Sequence, residues 1–216
     1  MPSLVGSEMC IRDRIKALMS LTSYEGDFNA MNVAFGIAPR INAAGRIKHA
    51  SYAVQVLLSK TEEEAEAYAK EIDEFNQTRK ELDGSITEEA LTFIESNEAL
   101  KQAKTTVLYQ ENWHKGVIGI VASRCIEKYY RPTVILTKSG DKVVGSVRSV
   151  LGFDIYQTLL ACEDVLEQFG GHQYAAGLTL KEENIEKFKQ RFEKAVSETI
   201  LSCLLYTSDA ADDSLR

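Results

Sequence analysis

A single apolar stripe constrains this chain most. Tyr68, Ile72, Phe75, Arg79, Leu82, Ile86, Ala90 and Phe93 recur at spacings of three and four, the period of one helix face. Ahead of the stripe, Thr61-Glu62-Glu63-Glu64 has the pattern of a capping box. In that motif a hydroxyl and a carboxylate satisfy free backbone donors at a helix start. Most globular helices run to roughly 8–20 residues, so a helix this long reads as a connector between two bodies. The competing reading is a surface helix that packs one stripe on a core. Asp83-Gly84-Ser85 is the place where a break is expected. Charge follows the same division. Thr61 to Ala99 holds 13 acidic and 3 basic residues, whereas Lys101 to Leu178 holds 9 basic and 7 acidic.

The second half alternates between periods. Thr105–Tyr109 is β-branched and short, as in a strand. Val117–Tyr130 is apolar at helical spacing, with Arg124, Glu127 and Lys128 outward. Pro132–Thr137 and Lys142–Val147 read as strands, and Ser139-Gly140-Asp141 between them as a hairpin turn. Asp154–Phe169 reads as helix and Ala176–Leu180 as a fourth strand. Asn184 is the expected cap of a last helix carrying Ile185, Phe188, Phe192 and Val196. The order β-α-β-β-α-β-α makes a compact α/β domain with a mixed sheet.

The two ends have a different character. Met9-Cys10-Ile11-Arg12-Asp13 and Cys203-Leu204-Leu205-Tyr206-Thr207-Ser208 can be encoded by inverted copies of one DNA segment, the pattern of a translated sequencing adapter. Residues 1–14 and 202–216 are therefore expected to be adapter-derived. A signal peptide would place its arginines before an apolar core, not after it. Setting the ends aside leaves Cys125 and Cys162, far apart and without a CxxC. That suggests neither a disulfide framework nor a zinc site, and makes a reducing cytoplasm the expected location. A net charge of −7 argues against a uniformly basic nucleic-acid wrapper but allows a local basic groove. No apolar run is long enough to span a membrane.

Four segments carry chemistry. Ala38-Pro39-Arg40-Ile41-Asn42-Ala43-Ala44-Gly45-Arg46 sets two arginines and an amide among small residues. A guanidinium fork suits phosphate, and a loop with solvated arginines is the even alternative. Trp113-His114-Lys115-Gly116-Val117-Ile118-Gly119 holds the only Trp, just before a helix start. That Trp stacks on a base or closes a core edge, and taken alone the second is favoured. Ser146 and Arg148, two apart on a strand, share one face and make a fair phosphate pocket. A solvated strand end fits them equally well. Gly170-Gly171-His172-Gln173-Tyr174-Ala175-Ala176-Gly177 pairs glycines that permit positive φ with a histidine able to donate to an anion. The chain has three histidines, and no Asp and His cluster at metal-ligand spacing. Walker, GxGxxG and GxSxG patterns are absent. What remains is a phosphate-binding surface without an evident catalytic centre.

Taken in order, Pro39–Arg46, Trp113–Arg124, Gly145–Ser149 and Gly170–Gly177 resemble the RecJ family of bacterial single-stranded-DNA-specific exonucleases, in the DHH phosphoesterase superfamily. The resemblance covers essentially Ile15 to Ile200. It implies residues 15–60 as the tail of a DHH domain, 61–100 as a connector helix and 101–200 as the DHH-associated, nucleic-acid-binding domain. It implies a metal-dependent 5′→3′ exodeoxyribonuclease of DNA repair and recombination. Its parent would be cytoplasmic and monomeric, using manganese or magnesium on ligands absent from this sequence. This stretch alone is expected to be inactive. By resemblance, Ser146 and Arg148 hold the 5′-phosphate, and Arg40, Asn42 and Arg46 grip the strand. His172, with the amides of Gly170 and Gly171, contacts the phosphate near the scissile bond. Trp113 and His114 support the cleft from behind. Two other readings stand beside this one. The first is a DHH-superfamily phosphodiesterase of oligonucleotides or cyclic dinucleotides. The second is a non-catalytic nucleic-acid-binding module, like the related appended domain of alanyl-tRNA synthetases.

Overall fold

A computed structural model describes residues 14–22 and 29–200. The adapter-like ends lie outside the described residues, Arg14 excepted. The chain divides into two compact units, up to Leu82 and from Asp83 onward.

The first unit is helical. A run at 14–19 is followed by a π-turn, Val33–Ile37, that leads directly into α1, Ala38–Ile47. The Pro-Arg-Ile-Asn segment is therefore helix, with its proline in the first turn of α1, directly after the π-turn. Next comes α2, Ser51–Leu58. Small residues let these helices approach closely: Ala44, Ala53, Ala65 and Ala69 are buried with Leu18, Ile37, Val56 and Ile72. Tyr52 meets Phe75 edge-on at 5.2 Å.

The long stripe forms α3, Glu62–Ser96, an unbroken helix of 35 residues. Thr61 caps it, taking the Glu64 N–H at 3.2 Å. The reciprocal bond shifts by one residue, because the Glu64 carboxylate accepts from the Lys60 N–H at 2.8 Å. No break occurs at Asp83-Gly84-Ser85. Asp83 is turned inward to Arg124, and a side chain at Gly84 would meet open space. The buried line is Ala65, Ala69, Ile72, Asn76, Asp83, Ile86, Ala90 and Ile94. The predicted aromatics flank it.

The second unit starts with the end of α3 and the short α4, Glu98–Gln102. It is built on a five-stranded mixed sheet in the order β1-β2-β3-β5-β4. The strands are β1 Thr106–Tyr109, β2 Thr133–Ser139, β3 Lys142–Arg148, β4 Gln168–His172 and β5 Ala175–Leu180. β1 and β2 run parallel and are joined across α5, Ile118–Lys128. The other pairs are antiparallel. Gly140, at φ +68°, makes the β2–β3 turn, where Ser139 pairs with Lys142. Two helices, α6 Ile155–Leu160 and α7 Ile185–Thr199, close the core. Phe188 and Phe192 stack at 5.5 Å among Val143, Val147, Leu178 and Leu180.

Three expectations need correction. Asp154–Phe169 is not one helix. It ends at Leu160, makes a 3-10 turn at Glu163–Val165 and enters β4 at Gln168. The Gly-Gly-His element therefore lies on a strand, not in a loop after a helix, and the sheet has five strands, not four. Asn184 does not cap α7 with its side chain. Its amide donates to the Val165 carbonyl at 3.4 Å, and a 3-10 turn at Glu182–Asn184 precedes the helix.

Candidate nucleic-acid interface

Antiparallel register gathers most of the predicted residues. Ser146 pairs with Gly177, and Gly177 with Gly170. Arg148 pairs with Ala175, and Ala175 with His172. Directly paired residues share a face, so two adjacent rows, Ser146–Gly177–Gly170 and Arg148–Ala175–His172, lie on one side of the sheet. On β3 the alternate residues Val143, Gly145 and Val147 are buried on the other side. Gly170, His172 and Gly177 are exposed. Gly145, Gly170 and Gly177, with Gln168, Phe169, Leu178 and Thr179, line a depression of about 320 Å³.

The polar groups are set by local bonds. Arg148 donates from Nη1 to Ser146 Oγ at 3.2 Å and to the Val147 carbonyl at 2.9 Å. Because Ser146 accepts there, its own hydroxyl proton can be donated to a ligand oxygen. His172 Nδ1 accepts the Tyr174 N–H at 3.3 Å. That places the proton of a neutral ring on Nε2, which then acts as a donor. The β4–β5 turn is tied to the end of β3 and to the start of α6: the Tyr174 carbonyl accepts from the Ser149 N–H and the Gln173 carbonyl from the Ile155 N–H, both at 3.0 Å.

The four glycines of this sheet differ in their reasons. A Cβ at Gly145 would lie 2.5 Å from Leu136 and 2.9 Å from Leu178, so core packing excludes it. Gly171, at φ +156°, would put one 2.4 Å from the Ala175 carbonyl and is strained for any side chain. At Gly170 nothing lies within 4 Å, and at Gly177 only a carbonyl at 3.8 Å. Neither of these two has positive φ. Gly171 also points to the opposite face from Gly170, so the pair does not form a nest of adjacent donors.

Trp113 and His114 hold the approach to α5. Trp113 is 3% exposed, donates from Nε1 to Glu89 at 2.8 Å and packs near Phe93. Its ring is closed to a base. Thr137 Oγ1 donates to the Trp113 carbonyl at 2.6 Å, and His114 Nδ1 accepts the Gly116 N–H at 3.1 Å. Arg124 of α5 donates through Nε and Nη2 to the buried Asp83. That carboxylate raises the guanidinium pKa further above its ordinary value. Lys128 pairs with Glu95 in the next turns. The signal of Asp83 in the sequence is an acid on the buried side of α3.

One residue escaped the sequence reading. Gly119, in the first turn of α5, faces the pair directly: a Cβ there would stand 2.9 Å from Ser146 Oγ and 3.1 Å from Arg148 Nη2. The first unit holds the other predicted residues. Arg40 is engaged on every side, donating to Asp73 at 2.6 Å, the Gly36 carbonyl at 2.7 Å and the Leu21 carbonyl at 2.8 Å. Asn42 and Arg46, one turn apart on α1, are exposed. Among the described residues no group of three or more His, Cys, Asp or Glu could hold a metal ion. None of the helices described is long and apolar enough to cross a membrane.

Comparison with known proteins bears on the family and the fold. Residues 102–198 match the DHHA1 domain. The single-stranded-DNA-specific exonuclease RecJ of Bacillus subtilis is 38% identical over 189 residues, covering 86% of this chain and 24% of that protein. The enzyme of the same name from Escherichia coli is 36% identical over 215 residues, covering 94% and 37%. The crystal structure of Thermus thermophilus RecJ with Mg²⁺ superposes with a TM-score of 0.77 at 33% identity, covering 90% of this chain and 30% of that one. A Mn²⁺ form of the same protein matches equally well. The chain thus spans between 24% and 37% of the length of these curated relatives.

Proposed function

The chain carries a DHHA1 domain and is RecJ-like along most of its length, and from that premise we propose that it is the strand-binding part of a single-stranded-DNA-specific 5′→3′ exonuclease. Residues 15–60 are then the tail of the catalytic domain, 61–100 the connector and 101–200 the domain that seats the DNA end. The observation that carries the reading is the alignment of Ser146, Arg148 and His172 on one sheet face, the first two half-buried beside α5, next to the bare backbone of Gly170 and Gly177. Arg148 supplies a fixed positive charge and N–H donors, Ser146 a hydroxyl, and His172 a ring N–H. This set matches the oxygens of a terminal phosphate. Asn42 and Arg46 contribute strand contacts from α1, while Arg40 positions that helix through its three bonds. Among the described residues no group of three or more His, Cys, Asp or Glu could hold the manganese or magnesium that we propose the longer enzyme uses.

Binding of a 5′-phosphorylated oligothymidylate, followed by fluorescence anisotropy across salt concentrations, tests this. The logarithm of affinity should fall linearly with the logarithm of salt. Arg148→Ala should flatten the slope by about 0.7 and weaken binding about tenfold at low salt. Salt-independent binding, or an unchanged slope in the variant, refutes the reading.

A further inference from the structure

Backbone conformation does not ask for glycine at position 119. The φ of Gly119 is not positive, and the first turn of a helix is better served by alanine, since glycine loses more chain entropy on ordering. The three atoms nearest to where its Cβ would stand are all side-chain atoms of the candidate site: Ser146 Oγ at 2.9 Å, then Arg148 Nη2 at 3.1 Å and Cζ at 3.7 Å. Gly145 and Gly171 differ from it here, because core side chains or backbone occupy their Cβ positions. A methyl at Gly119 would press on Ser146 Oγ and the Arg148 guanidinium, which are the groups that define the pocket.

We infer that Gly119 is a specificity-determining residue: its missing side chain sets the depth of the Ser146–Arg148 pocket and admits the phosphomonoester end of a strand. This rests on the reading of that pair as a terminal-phosphate site. The geometry gives the position a distinctive signature. A substitution should improve the helix and spoil the site, whereas a residue serving only the fold would lose both together.

The full chain is used, with short oligothymidylates bearing a 5′-phosphate or a 5′-hydroxyl as probes, and with Gly119→Ala, Ser146→Ala and Arg148→Ala as variants. Gly119→Ala should reduce the preference for the phosphorylated strand by about tenfold. Its Tm should stay constant or rise by about 2–4 °C. If Gly119→Ala keeps the preference while Ser146→Ala and Arg148→Ala lose it, the inference fails and the terminal-phosphate reading survives. If those two variants also keep it, or the parent chain shows none, the reading fails and takes the inference with it. A fall in Tm on Gly119→Ala would mean that packing holds the glycine, which also overturns the inference.

Discussion

Along β3, Val143, Gly145 and Val147 point into the core, while Val144, Ser146 and Arg148 stand on the other side of the sheet. The same alternation continues across β5 and β4. Leu178 and Leu180 are sealed beneath Phe188 and Phe192, whereas Gly177 and Gly170 lie open. Over β4 and β5 one face is filled to closure and the other is cleared, while at β2 and β3 the second face lies against α5, with Ile135 fully buried. Because side chains alternate with a period of two, the packing of the closed face fixes where the open face presents its polar groups. Core packing and ligand geometry are thus a single specification, read from opposite sides.

Substitutions on each face should separate the two jobs. The largest effect belongs to the closed face. Phe192→Ala removes a fully buried ring and should destabilise the fold by about 3–5 kcal/mol, seen as a large drop in Tm by circular dichroism. A loss under about 1 kcal/mol would mean that this face is not the core. The neighbouring glycines give a sharper contrast, since they are adjacent in sequence but lie on opposite faces. Gly171→Ala forces a Cβ into the Ala175 carbonyl at a strained φ and should cost about 1–3 kcal/mol. Gly170→Ala meets nothing and should change stability by about 0.5 kcal/mol or less. Equal losses in chemical denaturation would break the distinction. The smallest effect concerns Cys162 under α6. Burial pushes its thiol up to about 11, so it stays protonated well above neutral pH, and thiolate forms only as pH approaches that value. Iodoacetamide at pH 8 should label it slowly in the native chain and promptly in denaturant. Prompt native labelling would show the closed face to be open.

Much of this was legible in the sequence, and the omissions have physical causes. The 35-residue helix, the hairpin at Gly140 and the buried side of α7 each follow from a local period or a turn residue. β4 was missed because Ile155, Leu159, Cys162, Leu166 and Phe169 keep a helical spacing into it. What makes Gln168–His172 a strand is the pairing offered by β5, a tertiary fact without a local sign. Asp83 was read as a weak point in the helix because its carboxylate has no sequence-local partner; Arg124 reaches it from 41 positions away. Ser146, Arg148 and His172 were each legible as polar groups in odd company, but their assembly depends on register across three strands. Gly119 had a sign that went unused: a glycine inside a helical pattern calls for a reason beyond the helix.

The ties between the β4–β5 turn and the end of β3 bear on how such a site persists. Ser149 and Ile155 hold the Tyr174 and Gln173 carbonyls through their backbone N–H groups alone. No exchange of one ordinary side chain for another removes those bonds; only proline at 149 or 155 deletes a donor. The separation between Arg148 and His172 along their row is therefore inherited from chain geometry and not from residue identity. Backbone donors hold that span, while Val150, Phe153 and Ile155 seal the segment to the core and Gly152, at φ +83°, makes its turn.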